Sequence, residues 1–364
     1  MEKPDDFSQA SISSTDCRFG NLSFFSNDGP IGDSLREYGE WAQVEIDFLT
    51  EFVPAGSTVL DVGAFIGTHA LAFSDAVGLE GRVYALEPQP EAFRLLTTNV
   101  ERNSATNISA LRVAAGAQKG AVQIASFPRE RRFNGGASRT TDSPGAENFD
   151  VSVQPIDALQ LDGCALVKID VEGAEKDVLD GLTDVIRAFK PVIFCQLEDV
   201  SGFQRIHDVE ALAGWTFYFV RSSAFNPRNI FGNRINFFGD ARERGLLITA
   251  PGVAVNEQLG LHLDVIRFEG IATLEELFNS TPRFGVDVDA EIEREYLQAR
   301  VFTLTTDVEG LRFANSSLYK AVREKTELAS TIRHEYESSR SWKLTRVLRT
   351  AGNIARKVLK HFAR

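Results

Sequence analysis

Val59-Leu60-Asp61-Val62-Gly63-Ala64-Phe65-Ile66-Gly67 is an apolar run that ends in an aspartate and two glycines, and Thr68 to Val77 follow it with helical spacing. That order predicts a strand, a tight turn and a helix. Gly63 and Gly67 permit the turn and a close backbone approach, and the first N–H groups of the helix are free to meet a polar ligand. The spacing is G-x-x-x-G and not the dinucleotide G-x-G-x-x-G, so a pyrophosphate cradle is the weaker reading. Alone, the two glycines could equally do no more than reverse the chain. Their surroundings separate the two readings.

Downstream, Val83-Tyr84-Ala85-Leu86-Glu87-Pro88 reads as a second strand that ends in an acidic residue about 20 positions beyond the loop, where a ribose diol is gripped in nucleotide-type folds. Glu87 is the ribose candidate. Its plainer role would be a carboxylate at the start of the helix from Pro90 to Asn103. A third element, Val167-Lys168-Ile169-Asp170-Val171-Glu172-Gly173-Ala174-Glu175, is an apolar strand that ends in two acidic residues before a glycine and a helix. Ligands of open α/β sheets lie beyond the carboxyl ends of the strands, so Asp170 and Glu172 should face the crevice of the Gly63 loop. There they could be a general base, metal ligands or hydrogen-bond acceptors for an amine. Capping of the helix at Glu175 competes for one of them.

Between these elements the chain alternates strand-like and helix-like segments, which predicts a doubly wound, Rossmann-like α/β sheet, mostly parallel. Trp41, Val44, Glu45, Phe48, Leu49 and Phe52 have helical spacing that Pro54-Ala55-Gly56 stops. Strands are expected over residues 82–86, 108–113, 151–155, 165–171 and 191–197, and helices over 175–189 and 203–213. Residues 216–220 and 234–238 read as a closing antiparallel pair. The polar stretch from Pro128 to Asn148 reads as a long loop of the kind that carries function. Four parts follow: a flexible N-terminal arm (1–37), the main domain (38–240), an accessory segment (241–289) and a helical C-terminal extension (290–364).

The 364 residues include 39 Lys or Arg and 51 Asp or Glu, a net charge of -12 that disfavours nucleic acid as a partner. Cys17, Cys164 and Cys195 are far apart and read as structural thiols in a reducing compartment. No stretch reaches the roughly 20 apolar residues that span a bilayer, and the acidic start lacks the regions of a signal peptide, so a cytoplasmic location is expected.

From Phe48 to Glu198 the sequence resembles the FkbM-type methyltransferases, which are class I S-adenosylmethionine enzymes. The matching stretches are VLDVGAFIGTHALAF, GRVYALEPQPEAFRLLTTNVERN and LVKIDVEGAEKDVLDGL with KPVIF after it. Tyr38-Gly39-Glu40-Trp41 with Glu45 resembles the opening segment of a branch of that family. The resemblance implies that S-adenosyl-L-methionine lies with its amino-acid part over Asp61, Gly63, Ala64 and Gly67, its ribose on Glu87, and its adenine near Pro88, Ala114 and Ala115. It also implies O-methylation of a sugar hydroxyl in glycan, glycolipid or surface-polysaccharide synthesis. Asp170, Glu172, His69 and Glu198 are the candidate catalytic bases, with Asp170 preferred. Trp41 and the Gly-rich stretch with Asn134, Gly135 and Ser138 are the candidate acceptor site. No Cys/His cluster calls for zinc, and the spacing of Asp170 and Glu172 does not support magnesium.

Residues 340–364 hold eight Lys or Arg and no acidic residue, with Leu344, Val347, Leu348, Ala351, Ile354, Val358 and Phe362 at helical spacing. A basic amphipathic helix of this kind suits peripheral contact with the inner face of a membrane, or docking on its own domain or on a second copy in a homo-oligomer. Ser339 to Thr345 resembles a short tail of bacterial glycan-assembly proteins. Two alternatives stand beside this reading. One is a non-catalytic, cofactor-binding scaffold component of a glycan-assembly complex, with the methyltransferase fold retained and catalysis lost; the other, a nicotinamide-dependent oxidoreductase, is disfavoured by the loop spacing.

Overall fold

The computed structural model describes residues 11–127, 148–171, 173–197, 200–257, 261–268 and 271–281. Thirteen strands lie in these residues: β1 (Ile12–Cys17), β2 (Gly20–Phe25), β3 (Thr58–Val62), β4 (Arg82–Leu86), β5 (Ile108–Leu111), β6 (Ala114–Ala115), β7 (Gly120–Ala125), β8 (Asn148–Gln154), β9 (Leu166–Ile169), β10 (Val192–Gln196), β11 (Thr216–Ser223), β12 (Arg242–Thr249) and β13 (Leu263–Arg267). The helices are α1 (Pro30–Tyr38), α2 (Gln43–Thr50), α3 (Thr68–Val77), α4 (Pro90–Arg102), α5 (Glu175–Asp180), α6 (Thr183–Phe189), α7 (Val200–His207) and α8 (Ile271–Asn279). Residues 1–233 with 238–284 make one compact unit, and 234–237 with 285–364 a second. The description that follows concerns the first.

Eight strands form the central sheet, in the order β13-β11-β12-β10-β9-β3-β4-β5. β5, β4, β3, β9 and β10 run parallel, β12 lies antiparallel between β10 and β11, and β13 is antiparallel to β11. The chain builds outward from β3 through β4 to β5 and then restarts at β9 on the other side of β3. Strand order therefore reverses between β3 and β9, which is where open α/β sheets leave a crevice for ligands. The doubly wound fold with an antiparallel closing strand is as expected.

Both faces of the sheet are covered, so its central strands read as nearly continuous apolar runs. Pairing across the strands sets which side chains share a face: Asp61 lies opposite Lys168, Lys168 opposite Phe194, and Phe194 opposite Leu247. This face carries Val59, Val83, Leu166 and Val192 into a core completed by Phe48 and Leu49 of α2, Ala70 and Phe73 of α3, and Leu95 and Leu96 of α4. The opposite face sends Leu60, Val167, Ile169, Ile193 and Leu246 against Val178, Val185, Phe203 and Ile206. Two polar residues, Asp61 and Lys168, stand among the apolar ones of the first face.

The observed elements correct the sequence reading in several places. Residues 12–38 are a β1–β2 hairpin and a helix, with Leu22, Phe24, Phe25 and Leu35 buried, instead of a flexible arm. Fully buried Asn99 of α4 fixes the hairpin: Ser23 N–H donates to its Oδ1 at 2.7 Å, and its Nδ2 donates to the carbonyls of Ser23 at 3.0 Å and Ile66 at 2.9 Å. The short apolar run is too brief to show a period, so it reads as polar coil by composition. Residues 234–238 hold no strand, and the closing strand is β12 instead, so the sheet extends beyond residue 240. Its first half, Arg242-Glu243-Arg244-Gly245, conceals it as a charged turn.

β8 belongs to a separate three-stranded sheet in the order β6-β8-β7, not to the central one. The helix expected over 175–189 is broken at Gly181, where a Cβ would stand 2.1 Å from the carbonyl oxygen of Gly116. The carbonyl of Gly181 accepts from Asp157 N–H instead of continuing a helix. The expected helix over 203–213 is α7 followed by a short 3-10 turn at Glu210–Leu212. Among the described residues no helix is long and apolar enough to cross a membrane. The basic helix expected over 340–364 lies outside them.

Candidate active site

The turn after β3 is held by its backbone. Gly63 and Ala64 N–H both donate to the Leu86 carbonyl, at 2.9 and 3.0 Å, and Gly67 N–H donates to the Ala64 carbonyl at 2.8 Å. Gly63, Phe65 and Gly67 all take positive φ, at 84°, 48° and 94°. A Cβ at Gly63 would lie 1.9 Å from the Asp170 carbonyl oxygen, so only glycine lets the turn rest against the end of β9. Gly67 is the N-cap of α3 and offers no side-chain hydrogen bond, which leaves the first N–H groups of that helix without a capping side chain.

Phe65, a non-glycine residue at positive φ, has a reason to be there. Its N–H donates to Glu87 Oε2 at 2.7 Å, while Gln89 N–H donates to Oε1 at 2.8 Å. The Glu87 carboxyl is thus pinned at the carboxyl end of β4, beside the turn. Burial pushes its pKa up to about 7 against the lowering effect of the two N–H groups, and Asp61 and Asp170 add to the rise. Each of its oxygens retains a lone pair for a further donor. Glu87 N–H bonds the Leu111 carbonyl, which places the end of β5 alongside; Pro88, Ala114 and Ala115 beyond are half-buried.

Asp61, one residue before the end of β3, is fully buried, and neither carboxylate oxygen has a hydrogen-bond partner among the described residues. Its nearest cation is Lys168 Nζ at 3.7 Å. Lys168 Nζ donates to Asp170 Oδ2 at 3.3 Å, so one buried ammonium stands between two carboxylates. Burial alone would drive this lysine toward its neutral form, but Asp170, Asp61 and Glu45 outweigh it and hold its pKa above the ordinary value. A buried carboxylate lacking hydrogen bonds is costly, and a donor-rich ligand above the turn would remove that cost.

α2 and α3 close the same face. His69, in the first turn of α3, has Nε2 3.2 Å from Glu45 Oε1, both groups buried. Burial pushes the Glu45 carboxyl up to about 8 and, with Lys168, pulls the His69 imidazole down to about 3. The pair is neutral near pH 7, and His69 is a weak base with its Nε2 turned toward Glu45. Trp41 is half-buried, its ring 6.1 Å from that of Phe238. The preceding Glu40, between α1 and α2, accepts from Arg18 Nε at 2.8 Å, Asn226 Nδ2 at 2.7 Å and Ile230 N–H at 3.2 Å, tying the hairpin and the loop after β11 to that link.

A family model described as the methyltransferase FkbM domain matches residues 61–235, from Asp61 past Glu87 and Asp170. This stretch is similar to the methyltransferase FkbM domain. Hexuronic acid methyltransferase AglP of Haloferax volcanii is 30% identical over 148 residues, which are 41% of this chain and 59% of the relative. A solved structure of methyltransferase FkbM from Methylobacillus flagellatus KT is 17% identical, covering 53% of this chain and 44% of that one with a TM-score of 0.37. A putative O-methyltransferase from Klebsiella pneumoniae is 11% identical, over 56% and 77% of the two chains, with a TM-score of 0.33. The chain thus spans 59% of the curated relative and 44% of the first of these solved structures.

Within the stretch that matches the FkbM model, the fold brings Asp61, Gly63, Ala64, Gly67, Glu87, His69 and Asp170 to the carboxyl edge of the sheet around the switch point. Glu172, Glu198, Asn134, Gly135 and Ser138 lie outside the described residues. Sequence reasoning missed Lys168, Gln196 and Glu243 and gave Glu45 no chemical role. For Lys168 the signal was present, because a lysine inside the apolar run Leu166-Val167-Lys168-Ile169 must be paired to be buried. Gln196 and Glu243 had no such mark.

Proposed function

We propose that the chain is an S-adenosylmethionine-dependent O-methyltransferase whose acceptor is a sugar hydroxyl of a glycan, glycolipid or polysaccharide precursor. The observation that carries this reading is the Asp61 carboxylate, fully buried and without hydrogen bonds at the head of the Gly63 turn of an FkbM domain. Lys168 neutralises this carboxylate at 3.7 Å without hydrogen-bonding it, so what it lacks is a donor, and the amine at the amino-acid end of the cofactor is one. Glu87, fixed by two backbone N–H groups, has the remaining acceptor capacity for a ribose diol. Half-buried Pro88, Ala114 and Ala115 offer an apolar border to the adenine.

When bound, the cofactor supplies an electrophilic methyl group on a sulfonium. The protein's part is to align the hydroxyl oxygen and to handle its proton, and alignment alone supplies several kcal/mol of the barrier reduction, on the order of 7 or more in the best-oriented cases. Asp170 is held by Lys168 at the mouth of the crevice and accepts a hydrogen bond from the hydroxyl, fixing its direction. Buried Glu45 and His69 form the neutral wall behind it. The saccharide acceptor is supported by the relative's hexuronic acid.

The test is methyl transfer from labelled S-adenosylmethionine to nucleotide sugars, lipid-linked sugars and polysaccharide fragments. Label is expected on a hydroxyl of at least one saccharide class. Cofactor binding with no transfer to any of these, but transfer to a protein or nucleic acid, would overturn the acceptor assignment.

A further inference from the structure

Antiparallel β12 enters the sheet at the edge where the parallel strands leave it, so its first residues meet the ends of β3, β9 and β10. Gly245 pairs with Gln196, and Glu243, two residues earlier on β12, shares their face. The same face holds Phe194 and Lys168 one step deeper, with Asp170 two residues beyond Lys168 on β9. Asp170 and Gln196 therefore stand side by side at the rim of the crevice, with Glu243 one step further out on the same face. Gln196 Nε2 donates to Glu243 Oε2 at 2.6 Å, while Gln196 Oε1 is buried with no hydrogen-bond partner among the described residues. The unpartnered amide oxygen and the half-buried carboxyl beside it give this rim an acceptor and a proton-accepting group for a hydroxyl donor.

Resting on the methyltransferase reading above, we propose that Glu243 is the general base of the transfer and that Gln196 positions it. In the step assigned to it, the acceptor's O–H bond breaks and the proton passes to the Glu243 carboxylate. The hydroxyl oxygen forms its bond to the methyl carbon as the bond from that carbon to sulfur breaks, with the electron pair remaining on sulfur. Burial, with Glu45 of α2 and Asp170 of β9 facing it, pushes the Glu243 carboxyl up to about 8 against the opposing charges of Arg244 and Lys168. A base with a pKa near the working pH is strong enough to take a hydroxyl proton and still partly ionised.

The experiment compares full-length wild type, Glu243→Gln and Glu243→Asp, each first checked for native circular dichroism. Glutamate carboxyl carbons are followed by NMR against pH, S-adenosylmethionine affinity by calorimetry, and turnover on an acceptor found for the wild type as a function of pH. Glu243→Gln is expected to bind cofactor within about 3-fold of wild type, to lose a carboxyl signal that titrates near pH 8, and to lose turnover by about 10²–10⁴-fold with the rising limb of its pH profile gone. Glu243→Asp should recover part of the turnover and the limb. Wild-type turnover in Glu243→Gln, or an unchanged pH profile in that variant, overturns the assignment while the methyltransferase reading stands. A wild type that transfers no methyl to any acceptor takes both down.

Discussion

The two halves of the crevice are built by different means. The half proposed for the cofactor, around β3 and β4, is made of backbone: Gly63, Ala64, Phe65 and Gly67 hydrogen-bond within about 25 residues of sequence, and Glu87 is pinned by N–H groups two and twenty-two residues away. The half proposed for the acceptor, around β9, β10 and β12, is made of side chains brought together by strand register. Lys168 meets Asp61 from more than 100 positions along the chain, and Gln196 meets Glu243 from 47. A site made by a local turn tolerates little substitution and is visible as a motif. One made by register can change its residues without disturbing the turn.

Lys168→Met should produce the largest effect, because it leaves Asp61 and Asp170 facing each other across an apolar gap. Loss of one partner of a buried ion pair costs about 3–5 kcal/mol, measurable as a fall in the urea midpoint and transition. A loss under about 1 kcal/mol would mean that the two halves are not joined through this ammonium. Next, Glu87→Ala should weaken S-adenosylmethionine by about 100-fold in calorimetry, the loss of charge-assisted hydrogen bonds to a diol, while leaving acceptor affinity within a few-fold. Weakening of both ligands alike would blur the division between the halves.

Asp170→Asn keeps the shape and a hydrogen-bonding oxygen but removes the charge facing Lys168. It should lower turnover by about 10-fold or more with cofactor affinity nearly unchanged, read from kcat against calorimetric Kd. Unchanged kcat would remove Asp170 from the acceptor half. The smallest effect concerns pH. The folded-state carboxyls of Glu45, Glu87 and Glu243 are raised to about 8, 7 and 8 from an ordinary 4.5, so the folded protein binds more protons than the unfolded chain in between. Their contribution is fully present below pH 4.5 and is lost as pH rises through 7 and 8. His69, lowered from 6.5 to about 3, acts in the opposite sense only below 6.5. Between pH 6.5 and 8 the slope of stability with pH therefore belongs to the carboxyls, and Glu45→Gln should reduce that fall by about 1 kcal/mol.

The same contrast accounts for what could be read from the sequence. The strand-turn-helix at Asp61 to Val77, the acidic end of β4 and the Asp170 strand were legible because each is encoded within a dozen residues by apolar patterning and glycine. The β1–β2 hairpin was not, because Leu22 to Phe25 gains its burial only from Asn99 and the distant sheet. β12 was not, because Arg242-Glu243-Arg244-Gly245 has a turn's composition and becomes a strand only between β10 and β11. Glu243 went unseen with it. Lys168 was legible in principle as a charge inside a buried strand, though its partners are set by register.

The central claim, that Asp61 and Glu87 together hold S-adenosylmethionine, is tested most directly by calorimetric titration of that cofactor into wild type and Asp61→Asn, both shown to be folded. Wild type is expected to bind one equivalent, and Asp61→Asn, which keeps the volume but offers no charge to the ammonium, should bind at least about 10-fold more weakly. Equal binding by the two proteins, or no heat from folded wild type, would contradict it.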